Sequence, residues 1–413
     1  MKKLLTLTVT ASLVLAFAFS AFAQTKTTIT GQLRSRNEMS RKSFDAADEH
    51  YTVIGHLRTR INFKAEVDDN ASAFVQLQDT RMYGGSGQSA TLNSDSNVGV
   101  HQAYLKYNLF TKDKWSLGAM AGRFEFNWGN QRLLGAVGWH NVGRSWEGGL
   151  LWYDAEKFSV TFGGLKVAET ENADDGYNGD TDAYAFAVKI KEVNLDLLFL
   201  MEDNKDTSGL ATVQAAKRTT MAAYYKRKME QIDMEFNFAL QGGTVALTPT
   251  TEADFGGMMF TGQIGYSLEG ERNPWVAVGI DYTSGDDDFT DTDIKTFNNL
   301  YWTGHKFNGY MDYFLSGGPN GLMDMMFRGK VDITNGWTLA ADLHIFSAAE
   351  EYMGATEMTK DVGSEIDITI KTSRVKGVAL QWGYSMFSAK DEFADETDKQ
   401  SGTWAYCQAA MNF

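Results

Sequence analysis

Arginines recur at every second position in two stretches near the start of the chain, Arg34 with Arg36 and Arg58 with Arg60. On an extended backbone that spacing puts the side chains on one face. Guanidiniums gathered on one face can hold carboxylates through charge-assisted hydrogen bonds. Lys64, Lys106 and Arg123 extend the basic set, with Glu38 and Glu125 among them. Farther along, acids take over the same alternating positions: Asp196, Glu202, Asp233, Glu235, Asp281, Asp324, Asp342, Glu365 and Asp367, with Arg328, Lys330 and Lys371 between them. This is material for recognising charged solutes. Catalytic constellations are hard to find, although Ser, His and acid residues all occur at lumenal positions. The six histidines are dispersed without ligand spacing. There is no G-x-S-x-G and no phosphate-binding loop. The single cysteine, Cys407, offers neither a disulfide nor a redox pair. No metal and no cofactor is expected. The run Asp286-Asp287-Asp288, with Asp291 and Asp293, lacks the register of a calcium loop and reads as a solvated link. A net charge of −15 disfavours nucleic acid as a partner.

What positions these residues is a period of two. His56 to Lys64, Ile232 to Gln241, Trp337 to Ile345 and Glu365 to Lys371 each alternate polar and apolar side chains, where a helix would scatter them around its circumference. About eighteen such segments follow one another (sixteen is the alternative count), centred near Leu33, Thr59, Val75, Tyr104, Ala121, Leu150, Phe162, Ala187, Phe199, Ala223, Phe236, Gly262, Gly279, Phe327, Leu343, Ile368, Trp382 and Gln408. Each is about as long as a tilted strand needs to be to cross a bilayer. Short links such as Asp68 to Asn70 and Thr334 to Gly336 follow the even-numbered segments. Long, polar, Gly-rich links such as Gly84 to Asn97 and Asp391 to Gly402 follow most odd-numbered ones. The pattern predicts an all-β, transmembrane antiparallel β-barrel with short periplasmic turns and long extracellular loops. The prolines Pro249, Pro274 and Pro319 all fall in links, as a ladder without free edges requires. A soluble β-sandwich would alternate too, but would not need this link pattern.

The two ends agree with export. Residues 1–23 read as a cleaved signal peptide: Lys2 and Lys3, an apolar stretch from Leu4 to Phe22, and a small-x-small site at Ala21-Phe22-Ala23. Residues 24–413 read as a single outer-membrane barrel domain ending on an aromatic, Phe413. Phe110, Trp115, Phe158, Trp275, Trp337 and Phe413 are expected in a periplasmic aromatic girdle, and Phe126, Trp128, Trp146, Tyr282 and Phe387 in the extracellular one. Such a barrel would be inserted by the barrel assembly machinery, and its surroundings would be outer-membrane lipid and lipopolysaccharide. With apolar residues facing lipid, the charged residues face the lumen: basic on the first third, acidic on much of the rest. Opposed charges across an aqueous bore set up a transverse field that orients a charged solute.

One stretch carries a more specific pattern. Gly122-Arg123-Phe124-Glu125-Phe126-Asn127-Trp128-Gly129-Asn130-Gln131-Arg132-Leu133-Leu134-Gly135, then Trp139, Asn141 and Gly143-Arg144-Ser145-Trp146-Glu147-Gly148, resembles the signature of the alginate export family of outer-membrane porins. Leu57-Arg58-Thr59-Arg60, Phe74 to Arg81, His101 to Leu105 and Gly304 to Asp312 are similar to other segments of that family. The resemblance implies an 18-stranded monomeric barrel that an anionic polysaccharide or similar hydrophilic solute crosses passively. It assigns Arg58, Arg60, Gln76, Gln78, Arg123, Glu125, Arg132 and Arg144 as lumen or constriction residues; alternation adds Arg34 and Arg36. The alternatives are a barrel serving as scaffold or docking sleeve for a partner protein, and an outer-membrane enzyme.

Overall fold

The computed structural model describes residues 25–84, 98–169, 180–205, 216–248, 251–288, 290–396 and 398–413. Eighteen strands follow in chain order: β1 (Lys26–Arg41), β2 (Thr52–Glu66), β3 (Ala71–Met82), β4 (Gly99–Lys112), β5 (Trp115–Phe124), β6 (Trp146–Ala155), β7 (Phe158–Ala168), β8 (Thr181–Ile190) and β9 (Leu195–Asn204). The second half continues with β10 (Ala216–Met229), β11 (Ile232–Thr248), β12 (Thr251–Ser267), β13 (Trp275–Thr283), β14 (Leu322–Thr334), β15 (Trp337–Met353), β16 (Met358–Thr372), β17 (Val378–Ala389) and β18 (Gly402–Asn412). Every expected centre lies inside one of them. Each strand pairs antiparallel with its sequence neighbours, and β1 also pairs with β18, so the sheet closes and has no edge. Closure satisfies every ladder within the protein, as a lipid surround demands.

Burial runs opposite to that of a soluble protein. On β14, Asp324 is wholly buried while Phe327 is 51% exposed. Ile29, Leu33, Phe162, Phe199 and Val278 are exposed, whereas Arg34, Arg36, Arg58, Asn237 and Asp367 are buried. The apolar face is therefore the lipid face and the polar face lines the bore.

Aromatics divide unequally between the two rims. At the short-turn end Phe110, Trp115, Phe158, Trp337 and Phe413 stay on the outer wall as expected, with Trp337 stacked 5.8 Å from Trp382. Trp275 departs: its Nε1 donates to the lumenal Asp233 carboxylate at 2.6 Å. At the long-loop end the expectation fails for four residues. Trp128, Trp146 and Phe387 are buried and Phe126 packs on the same core as Trp128, all inside the bore. They serve a core formed by inward-folded loops. Pro249 lies outside the described residues.

The closing seam depends on a close approach. Phe413 exchanges backbone hydrogen bonds with Gly31, Gly31 N–H to Phe413 O at 2.6 Å and Phe413 N–H to Gly31 O at 3.0 Å. Its ring fills the space that a Cβ on Gly31 would occupy. Gly31→Val should displace that ring and destabilise the seam by about 1–3 kcal/mol. The folded fraction, read from heat-modified mobility on gels, should fall while ion selectivity stays unchanged.

Candidate functional site

Two links turn back into the barrel: residues 125–145 between β5 and β6, and, of the link between β13 and β14, residues 290–321. They are joined to each other first. Leu134 and Tyr301 form a parallel bridge, Gly135 N–H donates to Tyr301 O at 2.9 Å, and Thr303 N–H donates to Gln131 O at 3.0 Å. Arg144 Nη1 donates to three carbonyls, those of Gly135 (3.1 Å), Trp302 (3.3 Å) and Tyr301. Trp139 stacks on His305 with centroids 4.4 Å apart, and the Arg36 guanidinium lies 4.0 Å over the Trp139 ring. The pair of loops behaves as one plug across the bore.

Each side of the plug meets one wall. On the basic side, Arg34 donates to Gly138 O (2.9 Å) and His140 O (3.3 Å), Arg36 to Trp139 O (2.7 Å), and Arg58 to Gly138 O (3.1 Å) and His140 O (3.2 Å). Gln78 Nε2 donates to Val142 O at 2.9 Å and its Oε1 accepts from Arg60 Nε at 2.6 Å. Glu125 accepts from Arg60 at 3.2 Å and lies 2.9 Å from His101 Nε2; Gln76 donates to Asn62 at 2.7 Å. On the acidic side the direction reverses. Asn308 Nδ2 donates to Asp281 (3.2 Å) and Asp324 (3.3 Å), Tyr310 N–H to Asp367 (3.3 Å) and Met311 N–H to Glu365 (2.8 Å). Gly309, at φ +83°, makes that turn possible, and a Cβ there would press into the Glu365 carboxyl. His344 bridges the wall acids, 2.8 Å from Asp324 and 3.6 Å from Asp367. Arg132 crosses over from the first loop to pair with Asp281 while lying 3.9 Å over the Phe307 ring.

Nine of the ten sequence-assigned residues therefore reach the bore or its plug. Arg123 does not. Its strand neighbour Phe124 is buried in the bore against Leu133 and Leu134, so Arg123 points to the outer wall, where it pairs with Glu147 at 2.7 Å. The polar-in rule inverts here because the plug brings its own apolar core. Leu133 and Leu134 need apolar partners, and Trp146, Leu150, Leu165 and Leu198 on the inward side of β6, β7 and β9 supply them. The loop carbonyls of Gly138 to Val142, and the turn at Asn308 and Gly309, were not legible as site residues because backbone polar groups leave no mark on residue type. No cluster of His, Cys, Asp or Glu able to hold a metal occurs among the described residues.

The alginate export family model matches residues 25–406. The chain belongs to the alginate export family. No curated protein matches it in sequence. Solved structures with similar folds are OccK5 (OpdH) of Pseudomonas aeruginosa (12% identity, TM-score 0.57, covering 93% of this chain and 98% of that one) and a BenF-like porin of Pseudomonas fluorescens (9%, 0.61, 95% and 100%). OccAB4 of Acinetobacter baumannii is similar as well (12%, 0.59, 94% and 99%). This member of the alginate export family is accordingly an outer-membrane barrel of the Gram-negative cell, with the family and fold of channels rather than of enzymes. Its short turns mark the periplasmic end.

Arg144 is the joint between the two loops. Burial holds its pKa below the ordinary arginine value, with the neighbouring Tyr301 opposing that shift. Arg144→Ala should release three carbonyls and weaken loop–loop docking by roughly 1.5–3 kcal/mol. Limited proteolysis of the inserted barrel should then cut within residues 125–145 or 290–321, and single-channel current should become noisier.

Proposed function

We propose that the barrel is a passive conduit for hydrophilic anionic solutes, moved by their own gradient, with sugar acids or their polymers as the cargo class its family supports. The observation that carries this reading is the pairing of Arg34 and Arg58. They face each other in register on β1 and β2, and both are buried. Arg36 and Arg60 have carboxylate partners, Glu38 at 2.6 Å and Glu125 at 3.2 Å. Among the described residues Arg34 and Arg58 bond only neutral oxygens, those of Gly138, His140, Asn141 and Gln32. A carbonyl fixes a guanidinium in place without cancelling its charge. The group of four guanidiniums against two carboxylates thus keeps a positive potential beside the exposed loop residues Gly138 and His140.

Purified protein in planar bilayers should pass ions and show an anion-selective reversal potential in a salt gradient. Arg34→Gln with Arg58→Gln should lower the anion-to-cation permeability ratio by about threefold or more, since a potential of about one kT changes local ion concentration by that factor. The preference of the unaltered protein should fade as salt is raised, because screening shortens the reach of the field. A silent barrel, or a cation-selective one, would sink the proposal.

A further inference from the structure

On the periplasmic side of the plug lies a cavity of about 480 Å³, between both loops and the inner faces of β10 to β15. It shares Lys226, Glu235 and Gln263 with a second hollow of about 680 Å³ that reaches Asn273 and Pro274 in a periplasmic turn. The cavity therefore adjoins a hollow at the periplasmic end of the bore. Four cations line it, Arg132, Lys226, Lys306 and Arg328, against three acids, Glu235, Asp281 and Asp342. Three of the cations are matched one to one: Arg132 with Asp281, Lys226 with Glu235 at 2.9 Å, and Arg328 with Asp342 at 3.5 Å. Lys306 is left over. Among the described residues its ammonium meets one acceptor, the Asn130 carbonyl oxygen at 2.9 Å. An ammonium carries three donors, so two remain for a ligand.

The surroundings restrict what that ligand is. The rings of Tyr224, Phe307 and Tyr310 line the cavity, and Phe307 lies 5.4 Å beneath the Lys306 ammonium. Phe307 is covered by Arg132 and Trp302, so the Tyr224 and Tyr310 rings are the ones that offer flat faces for the C–H surface of a sugar ring, while Asn130 Oδ1, the Thr261 hydroxyl and the Gln263 amide offer partners for its hydroxyls. The volume is at the lower end of small-molecule pockets, enough for one or two sugar rings and too small for a coiled polymer. Burial holds the Lys306 pKa below the ordinary lysine value, against the pull of Glu235, which marks an ammonium partly stripped of water.

We propose that this cavity is a subsite for a solute carrying a single carboxylate on a hydroxylated ring, a sugar monoacid, with the carboxylate held by Lys306. The proposal rests on the barrel being an anion conduit and adds a stoichiometry of charge: three closed ion pairs and one open ammonium select one negative charge.

Glucuronate, glucose and citrate added to the periplasmic side of single channels in planar bilayers test it through concentration-dependent current block. Glucuronate should block. Lys306→Gln should weaken that block by about tenfold or more, and Lys306→Arg should largely restore it. Glucose should block weakly and equally in all three proteins. Citrate, for all its charge, should bind no tighter than glucuronate. Heat-modified mobility should confirm that both variants fold. An unchanged glucuronate block in Lys306→Gln, with anion-selective reversal potential retained, overturns the subsite and leaves the conduit standing. A cation-selective reversal potential in the unaltered protein overturns the conduit itself. Citrate block far tighter than glucuronate block overturns the single-charge assignment.

Discussion

Charges sealed inside a barrel must find hydrogen-bond partners, and in this barrel the partners come from backbone. The basic wall of β1 and β2 needs acceptors and receives the carbonyls of Gly138, Trp139 and His140. The acidic wall of β13 to β16 needs donors and receives the amides of Tyr310 and Met311 and the side chain of Asn308. A buried charge without such partners costs several kcal/mol, so a plug that excludes water from these walls must itself supply groups of the matching polarity. The same requirement orients the plug. Reversed, it would set carbonyls against carboxylates and amides against guanidiniums.

The plug in turn needs a core. Residues 125–145 and 290–321 hold little regular structure, and a loop that long persists in a bore only if its apolar side chains are buried. Leu133 and Leu134 pack on Phe124, Trp146 and Leu198, and Met311 and Phe314 pack on Phe346, Val362 and Phe387. Two apolar cores therefore sit inside a wall that elsewhere faces water. Aromatics that would otherwise mark the outer rim are drawn inward for the same reason, since burial against a dry core offers them more than the headgroup level does.

This explains why the barrel was legible in the sequence and the plug only in part. Alternation records which side of a strand meets lipid, and lipid surrounds every strand alike; all eighteen centres from Leu33 to Gln408 could be read from it. Alternation also implies that the other side carries the polar residues, and that holds at Arg34, Arg58 and Asp324, which turn inward and are buried against the plug. It fails at Arg123, where the other side meets Leu133 and Leu134 and the charged residue is the one turned outward. Which face is polar depends on what fills the lumen, and that is decided by residues far away in sequence. The partners of Arg34 and Arg58 were illegible for a simpler reason: any residue type has a carbonyl. Family resemblance located the stretch from Gly122 to Gly148, but not the direction in which its backbone points.

Anchoring a loop and attracting an anion look like competing uses of an arginine, and here they are compatible. A guanidinium that meets a carboxylate loses most of its field at a distance; one that meets carbonyls is equally well placed and loses none of its net charge. Arg36 and Arg60 are of the first kind, while Arg34 and Arg58 are of the second. Lys306 repeats the arrangement on the other side of the plug, held by a carbonyl while its cationic neighbours are paired with acids. Among the described residues, three cations of the bore without a carboxylate partner, Arg34, Arg58 and Lys306, are thus held by contacts with the plug's own backbone. On the proposed conduit reading, a passing anion would find them already oriented and partly desolvated, so little reorganisation would be needed when it arrives. The fold and the proposed anion selectivity consequently rest on the same contacts, and a substitution that loosens the plug should blur that selectivity along with it.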